Sequence, residues 1–226
     1  MQPQIVLTND DGIDAPGIRA LQRALHGQPS AIVAPDQPLS GCSHQINRGG
    51  PIGIDARGEQ EYAIGGTPAD CTRVALSHLY PQAHWVLSGI NAGGNLGSDI
   101  YVSGTVAAVR EAALLRVNGI AISHYIHQRQ PVDWDRAARL AARVLTKLMQ
   151  EPHQPGRFWN VNLPYGEPEP DIVFCQPCTQ PLPTAYEIRD GQFHYTGDYG
   201  SRSRDPQADV ELCFAGKITV TEIRLW

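Results

Sequence analysis

Two adjacent carboxylates, Asp10 and Asp11, are the residues of this chain best placed to do chemistry. They follow the apolar run of residues 5–7 and precede Gly12, a pattern that predicts a buried strand ending in a turn. Neighbouring strand residues point to opposite faces, so both acids can meet one ion only if the chain turns, as Gly12 permits. Two such carboxylates repel each other unless a cation or a proton lies between them. The pattern indicates a divalent metal site, and the alternative is an ordinary solvated Asp-Gly turn.

Two further loops offer oxygen donors after predicted strands. Residues 34–41, which include Ser40, follow the apolar run 31–34, and residues 88–97, which include Asn91, follow the run 85–87. Ligands of open α/β sheets bind at the carboxyl ends of the strands, so we expect all three loops to open on one edge. Carboxylates, hydroxyls and amide carbonyls are the ligands that Mg²⁺ or Mn²⁺ prefers. Agreement among three loops that are distant in sequence is stronger evidence for a metal site than any one loop alone.

The segment Ser103-Gly104-Thr105 leads into an alanine-rich helix. Ser103 or Thr105 could act simply as the helix N-cap. The other interpretation is an anion site, in which free backbone N–H groups and both hydroxyls bind a phosphate. The preceding glycine-rich loop is neither a dinucleotide fingerprint nor a Walker A loop, because neither motif occurs.

Alternating strand and helix signals must position these loops. Apolar runs alternate with helix starts at Asp14/Pro16, Thr67-Pro68 and Asp133, which predicts an α/β fold with a mostly parallel, Rossmann-like sheet between helices. A hairpin is expected around residues 52–54 and 62–64. After residue 152, prolines and weak helix signals indicate a β-rich elaboration. The strands expected there lie at residues 158–161, 186–188 and 218–223. We therefore expect a single domain, 1–226, with a core to about residue 150 and an arm over 151–226.

The composition excludes several classes of function. With 226 residues, 42% hydrophobic and 18% charged, the sequence is typical of a globular protein. A net charge of −5 provides no basic face for binding a nucleic-acid polymer. No apolar run is long enough to span a bilayer, so we expect no membrane partner. The five cysteines favour reduced thiols and a cytoplasmic location. Cys175 and Cys178 form a C-x-x-C pair, but no second pair accompanies them, so zinc or redox chemistry is poorly supported.

Taken together, these loops resemble the SurE family of metal-dependent phosphatases that act on nucleoside monophosphates. The resemblance extends in collinear order over about the first half of the chain. It rests on the segments LTNDDG at 7–12, APG at 15–17, APD at 34–36, SG at 40–41, GTPADC at 66–71, SGIN at 88–91, GGNLG at 93–97 and YVSGTV at 101–106. It implies a three-layer α/β/α sandwich.

The resemblance also implies a site. One divalent ion, Mg²⁺ or Mn²⁺, is expected on four ligands, and the substrate phosphate on a second set of residues. Asp10 and Asp11 are the expected catalytic residues. Either aspartate could take the proton of the attacking water, and on chemical grounds we expect Asp10 to do so. The metal ligands are Asp10, Asp11, Ser40 and Asn91. The substrate and phosphate contacts are Asn9, Gly41, Asn95, Ser103, Gly104 and Thr105. The expected substrates are nucleoside 5′- or 3′-monophosphates, and the expected assembly is a homodimer or homotetramer.

Departures from the family pattern leave alternatives open. His44, Gln45 and Asn47 stand where similar proteins carry small hydroxyl residues, in a segment that borders the nucleotide pocket of the family, so base preference is open. A surface loop is the plainer interpretation of His44.

Two other functions remain open. A non-catalytic nucleotide or phosphate sensor would keep the same pocket, whereas a metal-dependent amide hydrolase would not need residues 103–105. Phosphatases that form a covalent aspartyl-phosphate typically carry the motif Asp-x-Asp-x-Thr, which this sequence lacks.

Overall fold

The computed structural model describes residues 4–166 and 168–226, and its framework is a nine-stranded sheet. The strands are β1 Ile5–Thr8, β2 Ser30–Pro35, β3 Ile54–Gly58, β4 Glu61–Ile64, β5 Trp85–Ala92, β6 Asn118–His124, β7 Arg157–Leu163, β8 Ile172–Phe174, β9 Tyr186–Arg189, β10 Gln192–Tyr195 and β11 Ile218–Arg224. The helices are α1 Pro16–Ala24, α2 Pro68–Val74, α3 Gly104–Leu114, α4 Trp134–Leu148 and α5 Asp209–Phe214.

The sheet is mostly parallel, as predicted. Its strand order is β3-β4-β2-β1-β5-β6-β7-β11-β8, and the six strands from β4 to β7 run parallel to one another. β3 pairs antiparallel with β4, which confirms the predicted hairpin, although its first strand begins at Ile54. The carboxyl ends of β1, β2 and β5 are therefore neighbours on one edge of the sheet.

Helices cover both faces of the sheet and give three layers. Ile5 and Leu7 pack on one face with residues of α1 and α4, whereas Val6 packs on the other face with residues of α2 and α3. This alternation follows from the two-residue period of a strand buried on both sides. The predicted α/β/α sandwich is confirmed.

Local capping explains where most of the helices begin. Thr67 and Asp70 form a reciprocal capping box at α2, and the Asp133 carboxylate accepts from two backbone N–H groups at α4. The predicted starts of these helices are confirmed. α1 begins at Pro16, but its N-cap is Ala15, without a side-chain hydrogen bond, so Asp14 does not cap it.

The C-terminal part extends the same sheet. β7 pairs antiparallel with β11, which pairs parallel with β8, while β9 and β10 form a separate hairpin. The three strands predicted in this region are confirmed. The weak helix signal was misleading at α5, because six residues are too few to show a helical period. Within the described ranges, no helix has the length and apolarity needed to cross a membrane.

A buried ion pair ties the C-terminal part to the loops after β5. The Arg202 side chain is fully buried, and its Nη1 lies 2.9 Å from Oδ2 of Asp99. The Tyr199 hydroxyl donates to the same oxygen at 2.6 Å. Two long-range contacts thus converge on one buried carboxylate.

Replacing Arg202 by Met is expected to lower the free energy of unfolding by about 3 kcal/mol, because the carboxylate of Asp99 would stay buried without its cation. Urea unfolding followed by circular dichroism measures this change. The matched control is Arg189→Met, since Arg189 pairs with Glu187 on the exposed hairpin; its effect should stay below about 1 kcal/mol. Equal losses in the two variants would show that the buried pair is not specially stabilising.

Candidate active site

The turn after β1 places Asp10 in a nearly buried position against two other loops. Asp10 is 6% exposed, and its carboxylate oxygen Oδ1 accepts a short hydrogen bond from the Thr105 hydroxyl. Its backbone carbonyl accepts from the Leu39 N–H at 2.8 Å, which brings the neighbouring residue, Ser40, to the same place. Gly12 has a φ of +94°, and a Cβ there would lie 3.2 Å from the backbone of Gln37. Glycine therefore permits both the turn and the close approach of the loop after β2.

Asp11 connects this turn to the end of β5. Its Oδ2 accepts from the Ala92 N–H at 3.3 Å. β5 carries a bulge there, because Gly89 pairs with Ile122 and Asn91 with Ser123, so the intervening residue has no partner on β6. A bulge changes the direction of the side chains that follow it. The amide nitrogen of Asn91 donates to the Gly93 carbonyl at 2.8 Å, which fixes the orientation of the amide.

Burial and mutual repulsion disfavour the charged forms of the two aspartates. Burial raises the pKa of Asp10 from 3.8 to about 6; the hydrogen bond from Thr105 opposes this shift, and the charge of Asp11 adds to it. Burial also raises the pKa of Asp11, and its hydrogen bond from Ala92 opposes the shift. Two partly desolvated carboxylates within electrostatic reach of each other form a place where a divalent cation is favoured.

The start of α3 lies directly against Asp10. A Cβ on Gly104 would lie 2.9 Å from Cβ of Asp10 and 3.0 Å from its Oδ2, closer than real side chains approach. The Ser103 hydroxyl accepts from the Val106 N–H at 3.1 Å, so Ser103 is the N-cap. The Thr105 hydroxyl donates to Asp10, so its hydrogen is not directed at a phosphate in this structure.

Asn95 lies in a buried polar network behind the third loop. Its side-chain amide donates to the Ser123 hydroxyl at 2.7 Å, and its backbone N–H donates to Oδ1 of Asn162 at 2.7 Å. Its backbone carbonyl accepts from the amides of Asn160 and Asn162 at 2.9 and 3.0 Å. The network anchors the loop to β6 and β7.

The other predicted substrate residues occupy contrasting positions. Asn9 is almost fully buried, and its amide donates to the Gly12 carbonyl at 2.7 Å, so in this structure it shapes the turn. Gly41 is exposed and has a φ of +76°, next to the exposed Ser40. Contact of Asn9 or Gly41 with substrate stays a prediction.

The structure thus gathers the segments that carry the predicted ligands. Contacts join Asp10 to the residue before Ser40, Asp11 to the residue after Asn91, and Asp10 to Thr105. Among the described residues, no group of three or more His, Cys, Asp or Glu side chains is placed to hold a metal. A site built from two carboxylates, a hydroxyl and an amide would not form such a group.

Comparison with known proteins identifies the family of this chain. The sequence model of the family described as "Survival protein SurE" matches residues 5–183. The chain belongs to the SurE family.

Two relatives and one solved structure match this chain over nearly its whole length. A protein from Nostoc sp. that carries a provisional name as a 5′-nucleotidase is 54% identical over 98% of this chain and 99% of its own length. The "5′-nucleotidase SurE 1" of Burkholderia lata is 34% identical over 98% of this chain and 90% of its own. The crystal structure of the SurE protein from Aquifex aeolicus has a TM-score of 0.84 at 28% identity, and covers 99% of this chain and 94% of its own.

His44 lies in a loop, as expected, but its side chain is paired with Glu111 of α3 in this SurE fold. It is partly buried, and its Nε2 lies 2.8 Å from Oε2 of Glu111, whose other oxygen accepts from Nη1 of Arg73 at 2.8 Å. Burial alone would raise the pKa of Glu111, but His44 and Arg73 outweigh it, and the pKa lies below its ordinary value. A glutamate within the alanine-rich α3 was the available signal for this cluster.

Sequence analysis also missed the two asparagines that anchor the third loop. Asn160 and Asn162 are both buried on β7, where every residue is buried. Asparagine at two alternate positions of an apolar strand was the signal, since buried polar groups require partners.

Proposed function

We propose that this chain is a metal-dependent phosphomonoesterase that releases phosphate from nucleoside monophosphates. The observation that supports the proposal best is the placement of the desolvated Asp10 carboxylate, which the charge of Asp11 repels, against the N-terminus of α3. The enzyme class is that of the SurE-family 5′-nucleotidases, which are phosphoric monoester hydrolases, and the chain belongs to that class.

The residues present fit one divalent cation. Asp10, Asp11, Ser40 and Asn91 would hold it, because they offer two carboxylates, a hydroxyl and an amide oxygen, the hard donors that Mg²⁺ and Mn²⁺ prefer. The partly desolvated, mutually repelling carboxylates favour a positive charge at this place. When bound, the cation would neutralise charge on the phosphoryl group and acidify the attacking water.

Each remaining residue has a role set by its contacts. Thr105 holds one oxygen of Asp10 in place, while the other oxygen faces Gly104 and is the group that would accept the proton of the attacking water. The positive end of the α3 helix dipole, which lies against Asp10, would orient the phosphate and stabilise the charge of the transition state. The absence of a side chain on Gly104 keeps the approach to Asp10 open.

A phosphate-release panel tests the proposal. Nucleoside 5′- and 3′-monophosphates and p-nitrophenyl phosphate are incubated with Mg²⁺ or Mn²⁺, with and without EDTA. We expect turnover of nucleotides with metal and its loss in EDTA. Nucleotide binding without release of phosphate would favour a sensor. Hydrolysis of amides that inorganic phosphate does not inhibit would favour the amide hydrolase.

Two expectations accompany this proposal. A homodimer or homotetramer is expected in solution, and analytical ultracentrifugation would measure it. The cytoplasmic setting stays a prediction from the odd number of cysteines, all of which are free thiols in this structure.

A further inference from the structure

A buried carboxylate on α3 connects the helix to the loop that follows β2. Glu111 is 4% exposed and lies about two helical turns, or about 10 Å, beyond Gly104. Residues two turns apart lie on the same face of a helix. A Cβ on Gly104 would lie within 3.1 Å of Asp10 and of Sγ of Cys42. The face of α3 that meets Asp10 and Cys42 at its first turn therefore meets His44 at Glu111.

The Glu111 carboxylate has one partner for each oxygen. Oε1 accepts from Nη1 of Arg73 on α2 at 2.8 Å, and Oε2 accepts from Nε2 of His44 at 2.8 Å. A buried carboxylate requires a compensating charge, and the Arg73 guanidinium supplies one. The bond to His44 is therefore additional to charge compensation. Its consequence is to fasten the loop after β2 to α3.

Ser40 lies in a stretch of this loop that has few contacts. The Leu39 N–H donates to the Asp10 carbonyl, which holds the chain directly before Ser40. Ser40 itself is exposed, and Gly41 has a φ of +76° with no atom within 4 Å of the position of a Cβ. The place of the Ser40 hydroxyl thus depends on where the chain is fixed beyond Gly41.

Two side-chain bonds to other segments fix residues 42–44 in the described part of the chain. The Ser43 hydroxyl donates to the Tyr101 carbonyl at 3.1 Å, just before the start of α3, and His44 donates to Glu111. The first of these bonds is exposed, whereas the acceptor of the second is a buried carboxylate. A hydrogen bond to a charged acceptor is stronger than one between neutral groups. The bond of His44 is therefore the firmer of the two.

We propose that His44 and Glu111 are positioning residues, whose hydrogen bond sets the place of the Ser40 hydroxyl at the cation site. α3 is the common reference, because its first turn meets Asp10 and its Glu111 binds His44. The inference rests on the proposed function and adds to it the contact that completes the set of metal ligands. Neither residue is assigned a contact with the substrate.

A positioning role and a purely structural role have different consequences. A purely structural pair would stabilise the fold and leave the affinity for the cation unchanged. Removal of a group that orients a metal ligand typically weakens metal binding by about tenfold to a hundredfold. The affinity of the metal-free protein for Mn²⁺, measured without substrate, therefore separates the two roles.

Three variants test the role of His44. His44→Ala removes the bond, and it should fold because Arg73 still compensates the buried carboxylate. His44→Gln is the conservative variant, since its amide can donate to the same oxygen. Arg19→Met is the matched control, because it breaks an ion pair of 2.6 Å with Glu61, between α1 and β4. Electron paramagnetic resonance measures free Mn²⁺, and circular dichroism checks the fold.

We expect His44→Ala to raise the Kd for Mn²⁺ by about tenfold or more, whereas His44→Gln should stay within about threefold of the wild type. Arg19→Met should stay within about twofold, because its ion pair is partly exposed and distant from the site. With p-nitrophenyl phosphate, which lacks a base, the Mn²⁺ concentration for half-maximal rate should rise in parallel with the Kd. The kcat at saturating Mn²⁺ should change far less, since the bound ion restores the ligand set.

A double-mutant cycle shows whether the effect passes through the pair. Glu111→Gln keeps the shape of the side chain but has a single oxygen to accept from both Arg73 and His44. Glu111→Gln should therefore also raise the Kd for Mn²⁺, and it replaces His44→Ala as the test if that variant does not fold. The double variant should bind Mn²⁺ about as well as the weaker single variant, because residues joined by one bond are not additive. Effects that multiply in the double variant would overturn the proposal.

Failure of the positioning role and failure of the proposed function give different results. A folded His44→Ala variant that binds Mn²⁺ as the wild type does would overturn the positioning role, and so would an equal loss in His44→Gln. Phosphate release by the wild type would then leave the proposed function in place. Mn²⁺ binding by the wild type without release of phosphate from nucleotides would contradict the proposed function, and the Kd values of the variants would still decide the positioning role. A wild type that binds no Mn²⁺ would overturn the positioning role.

Discussion

Replacing Asp10 by Asn is expected to reduce phosphate release from nucleoside monophosphates by roughly a thousandfold or more, because it removes a carboxylate that serves as metal ligand and as proton acceptor. The fold should persist, since an amide oxygen can still accept the hydrogen bond from Thr105. Release of phosphate with Mg²⁺ or Mn²⁺ is the measurement. Asp14→Asn is the matched control, because Asp14 is an exposed acid outside the site, and it should keep full activity.

The same substitution is expected to stabilise the metal-free protein at neutral pH. Burial raises the pKa of Asp10 from 3.8 to about 6, so the folded state holds this proton more tightly than the unfolded state does. The protonated carboxyl of Asp10 therefore contributes stability to the fold that is fully present below about pH 4 and is lost as the pH rises through about 6. At pH 7 the charge costs on the order of 2–3 kcal/mol, since one pKa unit is about 1.4 kcal/mol.

Urea unfolding in EDTA therefore has a definite pH pattern. Asp10→Asn should exceed the wild type in free energy of unfolding at pH 7, and the two should converge near pH 4. Mg²⁺ should raise the melting temperature of the wild type but not that of the variant. Near-normal metal-stimulated turnover in Asp10→Asn would rule out the role assigned to this carboxylate.

Much of the fold was predictable because its determinants are local. The strands of the parallel sheet are short apolar runs, and the starts of α2 and α4 carry their own caps at Thr67 and Asp133. These interactions lie within a few residues of one another in sequence. α5 escaped prediction because its six residues depend on tertiary packing rather than on a periodic pattern.

The assembly of the site was predictable only in outline. Three oxygen-rich loops after three strands indicated one edge of the sheet, and the resemblance supplied the ligand set. The hydrogen bond between Thr105 and Asp10 links residues 95 positions apart, and that between Asn95 and Asn162 links residues 67 positions apart. No local pattern specifies which polar groups meet over such separations, so neither these bonds nor the pairing of His44 with Glu111 could be predicted.

The bulge in β5 illustrates the same limit. Strand periodicity predicts that side chains alternate regularly across the sheet, whereas the unpaired residue before Asn91 shifts the register by one. The direction of the Asn91 side chain, a proposed metal ligand, is thus set by a bulge that cannot be recognised in the apolar run of the sequence. An acidic pair next to a glycine, by contrast, is visible in sequence because the turn and its chemistry coincide.

Gly104→Ala is expected to lower the rate of phosphate release by about a hundredfold while leaving the protein folded. A Cβ at this position would lie 2.9 Å from Cβ of Asp10, 3.0 Å from its Oδ2 and 3.1 Å from Sγ of Cys42, so Asp10 or the start of α3 must shift. Asp10 and the start of α3 both belong to the proposed site, and the added methyl group would also block the approach of a phosphate oxygen. Alanine is the better helix former by about 1 kcal/mol, which offsets part of the steric cost to stability.

The control for Gly104→Ala is Gly49→Ala, since no atom outside its chain neighbours lies within 4 Å of a Cβ at Gly49, and its activity should match the wild type. Comparing kcat/KM for a nucleotide and for p-nitrophenyl phosphate separates the causes. Because the clash lies at the phosphate and not at the base, both substrates should lose the same factor in Gly104→Ala. Loss confined to the nucleotide, or full activity in a correctly folded Gly104→Ala variant, would contradict a phosphate position against the start of α3.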